Sequence, residues 1–545
     1  MKIFKLTTVV GAAAILVASC GSIKNMEVPA MDISVEVNAK KGVVSEEVHD
    51  HWAHADLVQD TIPGISLDKA YEFVAGKKGK TVIVAVIDSG IDIEHEDLEN
   101  VLWKNEDEIE GNNIDDDKNG YIDDIYGWNY LGGDRVAAPE QLEVTRLLAA
   151  YGDKFTGKNL DEVAEENKDE FAEYTKILKA YNASAAGHKQ TMKRLEQISD
   201  SYVAVKKFIG KEEITLDDMK GIETLDTEMK AMVDDLISLN SRGLDEAAFK
   251  EYYESKLKNK NYDLDFDGRA IVGDNPSNIN DKVYGNNVVI GSKEEEIHGT
   301  HVAGIILAER NNGKGMNGVA HNAKLMTLRA VPDGDEYDKD IALAIRYAVD
   351  NGAKVVNMSF GKSFSPNKEW VFDAIKYAAE HDVLLVHAAG NDNKDIDRSD
   401  NWPNDSEDKM VEFADNVLTI GALSENTDKN LPARFSNYGK RNVDVFAPGV
   451  NIYSTFPLNE YEKISGTSMA SPEVAGIATL VRSYYPELSA SQVKHVIMNS
   501  ATRLKMQVAK PGENEEVPFS ILSITGGAAN AYQALKLADQ MVNGK

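Results

Sequence analysis

Cysteine is almost absent from this sequence, which holds a single one, Cys20, among 545 residues. No disulfide can therefore form within the chain, and bound metal ions are one alternative cross-link for a protein of this size. Basic residues are also scarce, since 59 Lys and Arg stand against 90 Asp and Glu, for a net charge of −31. This balance argues against nucleic acid as a partner and against loose electrostatic binding to anionic membranes.

The first apolar run of the chain is too short to span a membrane. Lys2 and Lys5 precede an apolar stretch, Leu6–Ala18, and small residues lead to Cys20. This pattern is typical of a secretory signal over residues 1–19. The run Val-Ala-Ser-Cys-Gly resembles the lipobox of bacterial lipoproteins, which implies cleavage before Cys20 and lipid attachment to it. An ordinary signal peptide with an incidental cysteine is the alternative.

The segment that follows Cys20 is polar, with scattered Val and Ile and no sustained period. We interpret residues 20–60 as a tether or a short pro-region. By resemblance to other lipoproteins, Gly21 rather than Asp after the cysteine favours the outer membrane or the cell surface. The membrane would then be a partner only through the lipid.

Three apolar, β-branched runs occur later, at Thr81–Asp88, Lys354–Phe360 and Val383–Ala389. Such runs suit strands that are buried on both faces of a parallel sheet. Helical patterns precede the second and the third, over 340–351 and 370–381. Alternating helices and buried strands predict an α/β fold with helices on both faces of a parallel sheet.

Residues 139–261 differ from the rest because charge is dense, glycine is sparse and apolar residues fall at helical spacing. They predict an inserted all-helical subdomain between two segments of another domain, 61–138 and 262–540. One apolar stripe ends at Tyr181, another begins at Leu195, and Asn182–Gly187 could turn the chain between them. The insertion is either a plain solvated bundle or an exosite or lid for substrates.

Three residues stand where chemistry is expected, although each has a plain alternative. Asp88 ends a predicted strand, where active groups gather in parallel sheets, but a loop carboxylate also fits. His298 precedes a small, apolar run typical of a buried helix, where a core histidine also fits. Ser468 lies near a helix start, whose positive potential favours an alkoxide, although serine is also a common N-cap.

The surrounding segments, V-I-D-S-G, H-G-T-H-V-A-G and G-T-S-M-A-S-P, resemble the signature motifs of subtilisin-like serine proteases. They follow the order Asp, His, Ser that is found in subtilisin. The resemblance implies a subtilisin-like parallel sheet and a catalytic triad of Asp88, His298 and Ser468. It also implies that His298 takes the Ser468 proton during attack on a peptide carbonyl, while Asp88 orients the imidazole.

The same resemblance assigns further site residues. Asn391, in the segment Ala-Ala-Gly-Asn, matches the asparagine of the oxyanion hole, although a turn-forming asparagine is the plain alternative. Ser359, Phe360, Gly361 and Gly390 match substrate-binding positions that include the primary specificity pocket. The implied partners are protein or peptide substrates, and we expect a monomer.

One acidic loop predicts a structural calcium site. Its oxygen-bearing side chains alternate and a glycine permits a sharp turn, as in the first half of an EF-hand loop. The candidate ligands are Asp115, Asp117, Asn119, Asp123 and Asp124. A solvated acidic turn is the alternative. Asp263–Asp267 is a weaker second candidate for calcium, and the histidines at 49, 51 and 54 a weak one for zinc.

A different class of function also fits a chain with a large insertion, namely a catalytically silent surface binding protein on a protease fold. Such a relative would be expected to have lost a member of the triad. None is missing here, which favours a serine endopeptidase anchored to the bacterial envelope.

Overall fold

The computed structural model describes residues 26–37, 49–241 and 244–544. The predicted signal and Cys20 lie outside the described residues. The chain forms two compact units, of which the first comprises the described parts of Met1–Ala138, Arg269–Pro332 and Glu336–Lys545. The second comprises Pro139–Gly268 and Asp333–Asp335, apart from two residues that are not described.

A ten-stranded sheet organises the first unit. In chain order the strands of the unit are β1 (Ser34–Val35), β2 (Val82–Asp88), β3 (Gly127–Asn129), β4 (Ala323–Arg329), β5 (Val355–Met358), β6 (Leu384–Ala388), β7 (Val417–Leu423), β8 (Val445–Pro448), β9 (Ile452–Phe456), β10 (Glu460–Ile464), β11 (Thr502–Leu504), β12 (Gln507–Ala509), β13 (Glu516–Pro518) and β14 (Gly527–Ala528). Across the sheet the order is β1-β11-β14-β8-β7-β6-β5-β2-β4-β3, and β9 pairs with β10 and β12 with β13 outside it. Every neighbouring pair of described strands in the sheet is parallel except β11 with β14.

Twelve α-helices accompany these strands within the described residues. They are α1 (Leu67–Phe73), α2 (Glu143–Tyr151), α3 (Lys168–Ile209), α4 (Leu216–Lys220), α5 (Thr227–Asn240), α6 (Glu246–Lys258), α7 (Ile297–Leu307), α8 (Asp338–Asp350), α9 (Lys368–Glu380), α10 (Thr467–Tyr484), α11 (Ala490–Asn499) and α12 (Ala531–Asn543).

The central strand β2 shows why the helices lie on both faces of the sheet. Successive side chains of a strand point to opposite faces. Val84 and Val86 pack with α7, α10, α11 and α12 in one hydrophobic core, whereas Ala85 and Ile87 pack with α8 and α9 in another. The apolar run that begins at Thr81 is continuous because both faces are covered, and the predicted fold class is confirmed.

The second unit consists of α2 to α6 and the loops that join them. Residues 182–187, where we expected a turn between two helices, instead continue the 42-residue helix α3. Alanines around this point favour helix, and a surface glycine such as Gly187 costs only about 1 kcal/mol there. The two halves of α3 do not pack on each other. The first joins α2 in a core that includes Tyr174, and the second joins α4, α5 and α6 around Leu236.

Part of the segment that we interpreted as a tether is folded into the first unit. β1 pairs in parallel with β11 at one edge of the sheet, and Trp52 is only 1% exposed in the main core. The sequence shows no period here because the chain is largely irregular and its apolar side chains pack singly. No helix within the described residues has the length and apolar character needed to cross a bilayer.

We predict that Trp52→Ala lowers the free energy of unfolding by about 3–5 kcal/mol, since it removes a buried aromatic side chain and the hydrogen bond that its Nε1–H donates to the Val450 carbonyl at 3.1 Å. Urea unfolding followed by circular dichroism measures the change. Val58→Ala is the control, because Val58 is 63% exposed. Equal stability of the two variants would contradict this role for Trp52.

Candidate active site

Asp88 and His298 meet at the carboxyl edge of the sheet. Asp88 is the last residue of β2 and is 2% exposed, and His298 is the second residue of α7. His298 Nδ1 lies 2.7 Å from Asp88 Oδ1. The approach requires Gly299, where an added Cβ would lie 2.0 Å from the Gly90 carbonyl oxygen.

The Asp88 carboxylate determines which ring nitrogen of His298 carries the proton. A carboxylate only accepts hydrogen bonds, so Nδ1 carries the proton and donates it, which leaves Nε2 available as a base. Burial lowers the pKa of His298, but attraction to Asp88 and the hydrogen bond between them outweigh it, and the net shift is upward from 6.5. His298 remains accessible, with 40% of its side chain exposed.

Ser468 occupies the first turn of α10 and is tied to the segment after β5. Its hydroxyl donates to the Ser359 carbonyl at 3.2 Å, and the Ser359 hydroxyl donates to the Ser468 carbonyl at 2.9 Å. The Ser468 carbonyl is open to this contact because Pro472, four residues on, has no N–H to offer it. In this conformation the Ser468 hydroxyl therefore donates to Ser359 and not to His298.

Asn391 is held with its amide nitrogen unbonded by any of the described residues. Its Oδ1 accepts hydrogen bonds from the backbone N–H and the hydroxyl of Thr467, at 2.8 and 2.9 Å. A Cβ built on Gly466 would lie 3.5 Å from Asn391 Nδ2 and 3.5 Å from the Ser468 backbone nitrogen. Two donors thus converge on a space that is open because residue 466 is glycine. That space could receive a negatively charged oxygen.

The predicted substrate-binding residues follow β5 and β6. Ser359 is 3% exposed, while Gly361 is exposed and Gly390 adopts a φ of 98°. The Phe360 carbonyl accepts a hydrogen bond from His387 Nε2 at 2.8 Å. Burial is the main reason that the pKa of His387 falls to about 4, so this imidazole is neutral and its Nε2 carries the proton.

Asn401 is a site residue that the sequence analysis missed. Its Oδ1 lies 3.4 Å from a Cβ position built on Gly390 and 3.8 Å from one built on Gly361. It therefore stands between the two glycines that the resemblance assigns to substrate binding, and within the described residues its side chain has no hydrogen-bond partner. No motif marks Asn401, which lies 11 residues after Gly390 and 40 after Gly361.

The acidic loop gathers only some of its predicted ligands. Carboxylate oxygens of Asp115 and Asp117 approach those of Glu108 within 4.8 Å, and no other trio of His, Cys, Asp or Glu in the described part of the chain does so. Neither Asp263–Asp267 nor the three histidines from 49 to 54 form such a group. The missed residue, Glu108, is 8% exposed and accepts the backbone N–H of Asp116 at 2.7 Å.

The other predicted ligands are engaged in hydrogen bonds within the loop. Asp123 accepts the backbone N–H groups of residues 111, 112 and 113 at 2.9–3.2 Å. Asp124 is fully buried and accepts from Asn105 and from Asn119, at 2.9 and 3.0 Å. Asn119 therefore points its amide nitrogen at the carboxylates of the loop. An amide nitrogen donates hydrogen bonds and does not bind a metal ion. Asp115 and Asp117 accept hydrogen bonds too, for example from the Gly120 N–H and the Asn119 side chain. They are the metal-binding candidates with Glu108 because these three carboxylates come together.

Comparison of the sequence with known proteins assigns the chain to a family. Residues 79–517 match the subtilase family. Over 210 residues the chain is 38% identical to Subtilisin DY of Bacillus licheniformis. That alignment covers 38% of this chain and 71% of Subtilisin DY. Over 221 residues it is 40% identical to the Thermophilic serine proteinase of Bacillus sp. (strain AK1). That alignment covers 40% of this chain and 48%, or about half, of the relative.

A solved structure of a protease from Pseudoalteromonas arctica PAMC 21717 aligns at 29% identity with a TM-score of 0.37, covering 44% of this chain and 70% of the other. The family assignment rests on the sequence match, which extends over more than half of the chain. The chain belongs to the subtilase family of serine endopeptidases.

Proposed function

We propose that this chain hydrolyses peptide bonds in proteins or peptides, with Asp88, His298 and Ser468 as its catalytic triad. The observation that carries the proposal is the 2.7 Å contact between Asp88 Oδ1 and His298 Nδ1, since it leaves His298 Nε2 as a base. The contact lies in a chain that belongs to the subtilase family.

Catalysis begins when the Ser468 side chain rotates from the Ser359 carbonyl toward His298. His298 Nε2 takes the hydroxyl proton as Ser468 Oγ attacks the substrate carbonyl carbon, and Asp88 stabilises the imidazolium. The amine leaves with that proton and the acyl group stays on Ser468 as an ester. His298 Nε2 then takes a proton from a water molecule as the water attacks the ester. It returns that proton to Ser468 Oγ as the bond to the acyl group breaks and the carboxylic acid product leaves.

The negative oxygen formed in each tetrahedral intermediate lies near Asn391 Nδ2 and the backbone N–H of Ser468. Both donors are in place before substrate binds, because Thr467 holds the Asn391 amide. Donors fixed in advance stabilise the transition state without reorganisation. The N-terminal end of α10 adds positive potential at the same point.

We predict that Ser468→Ala abolishes hydrolysis of a fluorogenic peptide and labelling by a fluorophosphonate. The fold should be retained, since alanine fits the same space. Ser465→Ala, three residues earlier at an exposed position, is the control and should retain both activities. Turnover by Ser468→Ala at the wild-type rate would refute the triad. A wild-type chain that resists the fluorophosphonate would instead support a silent binding protein.

We predict that Asn391→Ala lowers kcat by about 10²–10³-fold with little change in KM, because its hydrogen bond forms only in the transition state. Steady-state kinetics on one peptide substrate separate the two constants. Asp392→Ala tests for general disturbance of the loop, since the Asp392 side chain is 60% exposed. A raised KM with unchanged kcat would contradict the oxyanion role.

The proposal includes a structural calcium ion at Glu108, Asp115 and Asp117, since carboxylate oxygens are the donors that Ca²⁺ prefers. We predict that excess chelator lowers the melting temperature, because an ion that binds only the folded state adds about 2.7 kcal/mol at a hundredfold excess over its Kd. Scanning calorimetry measures the shift, and Asp115→Asn should reduce it. A melting curve unaffected by chelator and by added calcium would refute the site.

The proposal also places the protein in the bacterial envelope, at the outer membrane or cell surface, held by lipid on Cys20. We predict that Cys20→Ser is released from the membrane fraction or fails to mature, because it removes the acceptor thiol. Mass spectrometry of the N-terminal peptide identifies the acyl group directly. An unmodified Cys20 in mature, membrane-bound protein would refute lipid anchoring.

A further inference from the structure

Residues 26–35, which follow the proposed anchor Cys20, are hydrogen-bonded to one edge of the first unit. This unit carries the proposed triad and is called the catalytic unit. Between Met26 and Val35 the backbone makes five hydrogen bonds, besides those within the β1–β11 strand pair, to residues on or next to α11 and β11. They join Gln492 Nε2 to the Met26 carbonyl (3.1 Å), Asn499 Nδ2 to the Val28 carbonyl (2.9 Å), the Met31 N–H to the Asn499 carbonyl (3.1 Å), and the N–H groups of Arg503 and Lys505 to the carbonyls of Ile33 (2.8 Å) and Val35 (3.0 Å). Val28 and Met31 also pack against the main core.

The distance between the proposed lipid and this edge is limited by chain length alone. Five residues separate Cys20 from Met26. Six residue steps of fully extended chain span at most about 22 Å. Met26 therefore stays within about 22 Å of a lipid-bearing Cys20, whatever conformation the intervening residues adopt.

We propose that the surface formed by residues 26–37, β11 and α11 faces the lipid bilayer, so that the catalytic unit is held close to the membrane in one orientation. This inference rests on the proposed lipid anchor at Cys20. We name this surface the anchor edge. β3 lies at the opposite edge of the sheet, nine strand spacings away, or roughly 43 Å at about 4.8 Å each.

Charge favours the same orientation on an anionic bilayer. The anchor edge is nearly balanced, because residues 26–37, α11 and β11 hold three acidic residues against Lys494 and Arg503. The loop over 104–124 holds nine acidic residues against two lysines. It lies near β3, since the Asn105 N–H donates to the Ile125 carbonyl at 2.8 Å. An anionic surface repels this loop within about a Debye length, 8–10 Å.

The orientation also limits which substrates meet the active site. β2, which carries Asp88, is seven strand spacings from β1, or roughly 34 Å. The proposed catalytic residues would therefore work in a shallow zone above the bilayer. The substrates expected from this geometry are proteins exposed near the membrane surface.

The single native cysteine allows a direct test. Acylation blocks the Cys20 thiol, so an introduced cysteine is the only free thiol in the chain. We would label Glu27→Cys and Lys282→Cys, both at exposed positions, in lipidated full-length protein with a maleimide fluorophore. Lys282 reports the far edge, because the neighbouring Tyr284 carbonyl accepts the Trp128 Nε1–H of β3 at 2.8 Å.

The measurement is energy transfer to rhodamine headgroups in vesicles of phosphatidylethanolamine and phosphatidylglycerol. Transfer falls steeply with distance, so the Glu27→Cys label should transfer several-fold more efficiently than the Lys282→Cys label. A flexible Gly/Ser linker of thirty residues inserted after Asn25 is the matched control. It keeps both labels and the lipid, and should remove most of the difference.

Each other outcome overturns the inference in a recognisable way. Equal transfer from the two labels, in protein that binds vesicles and carries the acyl group by mass spectrometry, would refute the orientation and leave lipid anchoring intact. Higher transfer from the Lys282→Cys label would assign the opposite edge to the membrane. Protein that neither carries an acyl group nor binds vesicles would overturn lipid anchoring and this inference together.

Discussion

The hydrogen bond between Asp88 and His298 is the contact on which the arrangement of the site depends. It requires that the start of α7 reach the carboxyl end of β2 closely enough for a buried carboxylate to meet an imidazole. Gly299 permits that approach, since any side chain there would collide with the Gly90 carbonyl. The parallel sheet supplies the rest, because neighbouring strands that run in the same direction end at the same edge.

A second constraint joins the nucleophile segment to the substrate segment. Ser359 and Ser468 exchange hydrogen bonds, and Pro472 makes this possible by leaving the Ser468 carbonyl without a helical donor. The start of α10 is thereby held against the end of β5. The helix that carries Ser468 also presents the Ser468 N–H beside Asn391, so the proposed nucleophile and both proposed oxyanion donors are positioned by one turn.

The acidic loop and the N-terminal segment show how contacts distant in sequence change the interpretation of local patterns. Alternating acids predicted Asp123 and Asp124 as metal ligands, yet the folded loop uses their carboxylates to accept N–H groups of its own chain. The segment that holds Trp52 looked like a tether because its apolar residues lack a period. It is folded because its apolar side chains find separate partners in the main core.

The sequence by itself determined the buried strands, the alternation of helix and strand, and the motifs that carry Asp88, His298 and Ser468. These are local properties, since β-branched runs, helical spacing and short motifs lie within a few residues of one another. Only the tertiary structure decided that Trp52 lies in the main core, that Glu108 joins Asp115 and Asp117, and that Asn401 stands between Gly361 and Gly390. Those outcomes depend on which surfaces meet in space, and no local pattern contains that information.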